Sequence, residues 1–151
     1  MKNKGITIIE MVVVVLILIL LAIVALWSSQ RVTLESEATI VYGEFKAVHT
    51  GVLKINQEYN LDIIEDYTVG EHFNSSYTDD NGKKWYVIYG MNDSHYDEDI
   101  IKNLGLDELK RNYKVNFETG EVEYLDGYVK VGEYEIDSYE DIQTLMESGA
   151  I

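Results

Sequence analysis

The chain has 151 residues, which is room for one ordinary domain plus an N-terminal segment. Its 27 acidic side chains outnumber 12 basic ones, and the formal net charge of −15 disfavours direct nucleic-acid binding because such a surface repels phosphate. The absence of cysteine excludes disulfides and thiolate chemistry.

The first predicted element is a transmembrane helix over residues 6–27. Only Thr7 and Glu10 are polar in this stretch, and roughly 20 apolar residues suffice to span a bilayer. Lys2 and Lys4 precede the stretch and most acidic residues follow it. The positive-inside rule therefore predicts an N-terminus in the cytoplasm and the remaining chain outside.

A cleaved signal peptide is the alternative interpretation, since it also begins with basic residues and an apolar core. The apolar run is longer than the usual core of such a peptide. Its exit, "ALWSSQ", places Leu26 and Trp27 where small residues are needed for cleavage. A carboxylate at position 10 would also have no purpose in a segment that is discarded.

Glu10 is the unusual residue of the segment because a carboxylate inside a membrane is costly and usually has a partner or a function. No basic side chain lies between Lys4 and Arg31. If the chain were cut after Gly5, Ile6 would carry a new α-amino group. A neighbouring identical subunit could then present that amine to Glu10.

The sequence "KGITIIE", followed by a long apolar helix, resembles the class III leader of type IV pilins and pseudopilins. The resemblance implies that a prepilin peptidase cuts after Gly5, with Lys4 as the basic residue before the cut. It implies that Ile6 becomes the new N-terminus, which the same enzyme methylates in this family. It also implies that Thr7 is the small polar position and Glu10 the assembly glutamate.

Two departures from the family pattern stand in the same segment. The family most often has phenylalanine where Ile6 stands, so methylation of Ile6 is implied less directly than cleavage. Many pilins also have a proline inside the membrane helix, and this chain has none. The resemblance covers about the first 60 residues and extends to the remainder only in general plan.

The resemblance implies a structural filament subunit rather than an enzyme, with no cofactor. Its partners would be other pilins, the peptidase and methyltransferase, and indirectly the platform protein and assembly ATPase. It would lie in the cytoplasmic membrane and, after assembly, at the cell surface. The predicted regions are a leader (1–5), a transmembrane and filament-core helix (6–27), an amphipathic continuation (28–60) and an extracytoplasmic head (61–151).

Two alternatives stay open. One is a single-pass membrane protein whose outer domain binds a partner and which never assembles. The other, within the same structural class, is a pseudopilin for secretion or for DNA uptake. Retention of the leader would favour the first, whereas no sequence feature separates pilus, secretion and competence subunits.

An amphipathic helix is predicted over residues 28–60, with "SSQRVT" as its weakest point. Apolar side chains recur at alternating steps of four and three residues, which places them on one face. Gly43 and Gly51 weaken an isolated helix, so packing on a sheet is favoured over a coiled coil. The stripe comprises Leu34, Ala38, Val41, Phe45, Val48, Val52, Ile55 and Tyr59.

The head is predicted to be α+β, a long helix packed on a small antiparallel sheet as in pilins. The Asn-Gly pair in "DDNGKK" indicates a tight hairpin, and "WYVIYG" after it is rich in strand formers. Residues 97–112 are typical of one or two short helices broken near Gly105, and residues 113–136 of an antiparallel meander. A last helix is predicted after the cap Ser138, ending near Gly149.

No catalytic constellation is evident. His49, His72 and His95 lack a second histidine three or four residues away, so solvated or packed histidines are expected. The acidic loop "DSHYDED" supplies three weak calcium candidates, Asp93, Asp97 and Asp99, since some secretion pseudopilins hold calcium in a head loop. It does not fit an EF-hand, and hydrated surface carboxylates are the favoured interpretation.

Overall fold

A computed structural model describes residues 8–58 and 69–151. It contains a long apolar N-terminal helix and a small antiparallel sheet, so the α+β class is confirmed at this level. The helices are α1 (Ile8–Glu58), α2 (Glu98–Asn103) and α3 (Tyr139–Glu147). The strands are β1 (Ser75–Thr78), β2 (Lys84–Ile88), β3 (Tyr113–Val115), β4 (Val122–Tyr124), β5 (Val129–Val131) and β6 (Tyr134–Ile136).

The chain divides into two compact units, and the division falls between Ser36 and Glu37. In the first unit, α1 continues through the predicted weak point. Arg31 pairs with Glu35 at 3.0 Å, and the Thr33 hydroxyl donates to the carbonyl of Ser29 at 3.0 Å. The Arg31–Glu35 pair connects residues one helical turn apart and supports the helix there, while the Thr33 hydroxyl finds its partner on the helix backbone.

In the second unit, Glu37–Ile151, α1 buries the apolar stripe that the sequence predicts. The stripe packs its aromatic member, Phe45, edge-on against Tyr113 at 5.2 Å and against Tyr124 at 4.6 Å between ring centroids. These strand residues supply the aromatic part of the core. The described stripe residues of this unit are each at most 3% exposed: Ala38, Val41, Phe45, Val48, Val52 and Ile55. Tyr59, the last predicted member of the stripe, lies outside the described residues.

The main sheet has the order β1-β2-β3-β4, and every neighbouring pair is antiparallel. The predicted hairpin joins β1 to β2 through residues 79–83, where Asp79 N donates to Lys83 O at 2.9 Å. Gly82 has φ +80°, a conformation that glycine adopts without strain, and this explains the Asn-Gly signal. The hairpin and the predicted strand after it are therefore confirmed.

The predicted meander over residues 113–136 is wrong as one continuous sheet. β3 and β4 belong to the main sheet, whereas β5 and β6 form a separate two-stranded sheet. Tyr124 N instead bonds Asp137 O at 2.8 Å, and an isolated bridge joins Glu123 to Ser138. The edge of β4 is thus paired by the segment that leads into α3.

The predicted helical region 97–112 is helical only over α2. Gly105, with φ +75°, follows the cap Leu104 and ends the helix, as the sequence predicts. The following residues form a loop instead of a second helix, because Met91 N donates to Leu109 O at 2.8 Å and the Leu109 side chain is buried. Tertiary contacts override helix propensity in this loop.

The final helix begins and ends as predicted. The Ser138 side chain accepts a hydrogen bond from Asp141 N at 3.3 Å, which is the capping contact. Within the helix, the Ile142 side chain is fully buried, and those of Leu145 and Met146 are half-buried. Gly149 follows with φ +72°.

We expect Gly51→Ala to destabilise the second unit by about 1–3 kcal/mol, because overpacking forces backbone shifts. A Cβ at this position would lie 2.7 Å from the carbonyl oxygen of Leu104. Gly43→Ala is the matched control on the same helix, where a Cβ meets nothing within 4 Å. The control should stabilise the helix by about 0.5–1 kcal/mol. Urea unfolding of the full chain in detergent measures both, and equal effects would contradict the close packing at Gly51.

Asp79 makes the hairpin sensitive to acid. Its carboxylate accepts from Trp85 Nε1 at 3.0 Å and from the backbone N–H groups of Asn81 and Lys83, each at 2.9 Å. The bond from Trp85 is the largest cause that lowers the pKa of Asp79, and these bonds outweigh the opposing effect of burial. Because the folded-state pKa lies below the unfolded value, the stabilisation is present above that value and disappears as the pH falls.

We therefore expect Asp79→Asn to destabilise the chain at neutral pH, with a difference from the wild type that shrinks as the pH falls below 3.8. Asp80→Asn is the control, since that carboxylate makes none of the three bonds. Urea unfolding at several pH values, followed by circular dichroism, measures the difference. A difference that is independent of pH would contradict the role of the ionised carboxylate.

Candidate functional site

The first candidate is the apolar surface of α1 over residues 8–27. Every side chain in this range is exposed, and the exposed fractions of the large apolar side chains run from 43% at Ile23 to 83% at Ile8. An 18-residue window here has a mean hydropathy of 3.4, and none of it is buried. The helix is long and apolar enough to cross a membrane, and a helix that is apolar on all sides requires an apolar environment around it.

Glu10 lies on this surface, in the first described turn of α1, and its side chain is exposed. Helical spacing places Val13, Val14 and Ile17 on the same face, at three, four and seven residues along the chain. The carboxylate therefore stands at the end of an apolar stripe. The other residues predicted for cleavage, methylation and assembly, Lys4, Gly5, Ile6 and Thr7, lie outside the described residues.

Two of the three calcium candidates in the head, Asp93 and Asp97, use their carboxylates in local hydrogen bonds, and the third, Asp99, contributes its backbone N–H. Asp93 accepts from the backbone and ring nitrogens of His95 at 2.9 Å each, and the backbone bond is the largest cause that lowers the pKa of Asp93. Asp97 caps α2 by accepting from Asp99 N at 2.9 Å. Within residues 8–58 and 69–151, no group of three carboxylates or histidines is arranged to hold a metal ion.

The three histidines lie in separate places. The His49 ring stacks on Tyr139 of α3, with centroids 4.9 Å apart. His72 is buried in the segment before β1, and His95 is exposed beside Asp93. The structure does not bring them together into one site.

A cavity of about 290 Å³ is lined in part by the loop that precedes β3, residues 110–112. Asn112 forms its fixed centre: the side-chain nitrogen donates to Asp93 at 3.0 Å and to Asp126 at 2.9 Å, and its oxygen accepts from Gly90 N at 2.9 Å. Lys110 and Tyr128 also line the cavity. Neither Asn112 nor Asp126 was predicted from the sequence, because no motif or regular spacing connects these positions.

A second polar cluster, also missed from the sequence, fixes α1 to the sheet of the second unit. The Glu44 carboxylate accepts from Arg111 Nη1 at 2.6 Å, from Tyr113 Oη at 2.9 Å and from Lys110 N at 3.2 Å. The Glu44 side chain is only 12% exposed. Glu44 thus joins the middle of the helix to the start of β3.

The pKa values in this cluster follow from its burial. Burial and the nearby Tyr124 and Glu44 raise the pKa of Tyr113, so its hydroxyl remains a hydrogen-bond donor. Burial alone would lower the pKa of Arg111, but the bond to Glu44 and nearby groups outweigh it and raise that pKa. Arg111 therefore stays protonated at neutral pH, and its hydrogen bond to Glu44 is a structural contact.

Comparisons of the chain with protein-family models, with curated proteins and with solved structures found no match. The function is therefore inferred from the residues of the chain itself.

Proposed function

We propose that this chain is a structural subunit of a type IV pilus or a related pseudopilus. It is made as a membrane-inserted precursor, is cut after Gly5, and assembles through the apolar part of α1. The observation that carries this proposal is the fully exposed apolar helix surface over residues 8–27 with Glu10 near its N-terminal end. The leader-like sequence before it supplies the means of cleavage.

The exposed surface fits two environments in succession. In the precursor, lipid surrounds the apolar helix. In the filament, the same segments of neighbouring subunits surround it. Lipid tails are as apolar as the side chains, so helix packing and polar contacts, more than the hydrophobic effect, favour the assembled state.

Glu10 would set the register between subunits. After cleavage, the amine of Ile6 on one subunit meets the Glu10 carboxylate of its neighbour. A buried ion pair contributes little net stability compared with apolar packing, but breaking one partner is strongly destabilising. The pair therefore selects one axial offset among many that apolar packing alone would allow.

The second unit supports the same proposal. The amphipathic part of α1 packs against a small antiparallel sheet and is fixed to it by Glu44. This arrangement is consistent with the pilin plan that the resemblance implies for the head. Subunits that repeat along one axis contact each other through different surfaces, so the array stays open and grows into a fibre.

The partners follow from this proposal: other copies of the chain or related pilins, a prepilin peptidase that also methylates Ile6, and a membrane platform with its ATPase. Before assembly, the subunit would lie in the cytoplasmic membrane with its N-terminus inside the cell, and it would reach the cell surface on assembly. Subunits of secretion and competence pseudopili belong to the same structural class.

The cavity around Asn112 favours one alternative, a single-pass membrane protein whose outer domain binds a small polar ligand and which never assembles. Its carboxylates, amide and lysine are groups that orient such ligands. The two functions differ at the N-terminus, since only the filament subunit requires cleavage.

The test is the N-terminal sequence and intact mass of the protein from cells with and without a prepilin peptidase. We expect the chain to begin at Ile6 when the peptidase is present and at Met1 when it is absent. Gly5→Arg is the matched control and should retain the leader in both strains, because the scissile site requires the small residue. A chain that begins at Met1 in both strains rejects the proposed function.

A further inference from the structure

A groove runs along the exposed side of α1 in the second unit. Its lining includes Gly43 and Ala47, which are exposed, and Gly51, which is buried against Leu104; the three repeat every four residues, and the groove volume is about 460 Å³. Lys46 and Lys54 line it from the next row of the helix. The segment that follows α2, residues 104–106, closes one side. We call this surface the lysine groove.

The charges of the lysine groove are unusual for this protein. Most basic side chains of the second unit form ion pairs: Lys83 with Glu121, Lys102 with Glu98, Arg111 with Glu44, Lys114 with Glu123, and Lys130 with Glu135. Lys46 and Lys54 form none with any described residue. Lys46 lies 5.6 Å from the ring centroid of Tyr42, and both lysines are exposed.

In a chain with a net charge of −15, these two cations of one groove thus have no ion-pair partner among residues 8–58 and 69–151. Complementary charge steers association and fixes register between partners. The occupant that this groove fits is therefore acidic, and copies of the chain itself carry many exposed carboxylates. The shape of the groove further restricts which surface of a copy can enter it.

We propose that the lysine groove binds the exposed face of α3 from a second copy of this chain; the inference rests on the proposed filament function. Glu140, Thr144 and Glu147 lie on one exposed side of α3, at four- and three-residue steps. Ile142, on the other side, is buried in its own unit. The carboxylates are therefore directed away from the core that holds α3.

The spacing of the charges agrees on the two surfaces. At 1.5 Å per residue, Lys46 and Lys54 are about 12 Å apart along α1, and Glu140 and Glu147 are about 10.5 Å apart along α3. Because Gly43 has no side chain and that of Ala47 is a methyl group, a second helix can approach closely beside the row that carries the lysines. Two ion pairs can then form along that helix-to-helix contact, one at Lys46 and one at Lys54.

The two surfaces are different parts of the same unit. Tyr139 of α3 stacks on Tyr42 and His49, with ring centroids 5.9 and 4.9 Å apart. Helical geometry places Ala47 about 140–160° around α1 from these two residues. The groove is thus open when the copy's own α3 is in place, and contact between copies is head-to-tail, which generates an open array.

The test uses full-length chains and charge reversal. Two double variants should each reduce the yield of sheared filaments at least about tenfold. One carries Lys46→Glu and Lys54→Glu, and the other carries Glu140→Lys and Glu147→Lys. The chain that carries all four changes should recover to within about threefold of the wild type, because the attractive pairs return with reversed sign. Lys102→Glu with Lys130→Glu is the matched control, since it makes the same charge change at exposed paired lysines and should change the yield less than about threefold.

A second measurement uses the absence of cysteine from the chain. Thr50→Cys with Thr144→Cys should give disulfide-linked dimers and higher oligomers on oxidation of filaments. The control pair, Thr50→Cys with Thr78→Cys on β1, should give far fewer cross-linked dimers and oligomers. Because the wild-type chain has no cysteine, any disulfide that forms joins two introduced cysteines.

The outcomes separate this inference from the proposed function. Wild-type filaments that begin at Ile6, combined with no recovery in the fourfold variant or no cross-link at Thr144, overturn the inference alone. A wild-type chain that keeps Met1 and forms no filament overturns the proposed function and, with it, this inference. Recovery of the fourfold variant together with the cross-link supports both.

Discussion

Glu10→Gln is expected to abolish filament assembly while cleavage after Gly5 continues. The substitution keeps the size of the side chain but removes the negative charge that would meet the amine of Ile6 on a neighbour. An amine left without its partner inside packed helices costs about 3–5 kcal/mol, which is more than a hundredfold in the assembly equilibrium. The yield of sheared filaments and the N-terminal sequence of membrane-bound subunits measure the two parts of the prediction.

Glu35→Gln is the control for this effect. Glu35 lies on the same helix and pairs with Arg31, but both side chains are more than half exposed. Exposed pairs of this kind contribute about 0.3–0.5 kcal/mol, so assembly should be nearly unchanged. Filaments formed at the wild-type level by Glu10→Gln would refute the ion-pair account of assembly.

Glu44→Ala is expected to lower the free energy of unfolding of the second unit by about 2–3 kcal/mol, less than a fully buried pair because Arg111 is partly exposed. The change removes one acceptor from three donors at once: Arg111 Nη1, Tyr113 Oη and Lys110 N. The Tyr113 hydroxyl would then be a buried donor without its acceptor. Urea unfolding of the full chain in detergent, followed by circular dichroism, measures the loss.

Glu98→Ala provides the comparison. Glu98 pairs with Lys102 at 2.7 Å, but their side chains are 67% and 64% exposed. Water screens such a pair, so its removal should change stability by less than about 0.5 kcal/mol. If Glu44→Ala were no more destabilising than Glu98→Ala, the Glu44 cluster would not be the contact that fixes α1 to β3.

The features predicted correctly from the sequence are local ones. The stripe around Phe45 follows from helical periodicity, and the β1–β2 hairpin from the Asn-Gly pair before β2. Ser138 caps α3 because its side chain lies within reach of a backbone N–H three residues later. Each of these signals acts within a few residues, so no knowledge of the rest of the fold is needed.

The features that the sequence analysis missed depend on residues far apart in the chain. Glu44 bonds Arg111 and Tyr113 across 67 and 69 positions, and Asn112 bonds Asp93 and Asp126 across 19 and 14. The pairing of Tyr124 with Asp137 likewise divides the predicted meander. Contacts between residues so far apart in the chain leave no periodic signal in the sequence. Several carboxylates are also chemically equivalent candidates, so the sequence does not show which of them is the partner.

By itself, the sequence determines an N-terminal helix long and apolar enough to span a membrane, with one carboxylate near its start, and an amphipathic continuation. Composition and helical period are sufficient for these, since every residue involved acts through its position on one helix. Only the tertiary structure decides which carboxylate fixes α1 to the sheet and which lysines of α1 form no ion pair with the part of the chain that is described. Those outcomes depend on how the sheet, the loop after α2 and α3 pack around the helix, and packing selects among groups that are chemically alike.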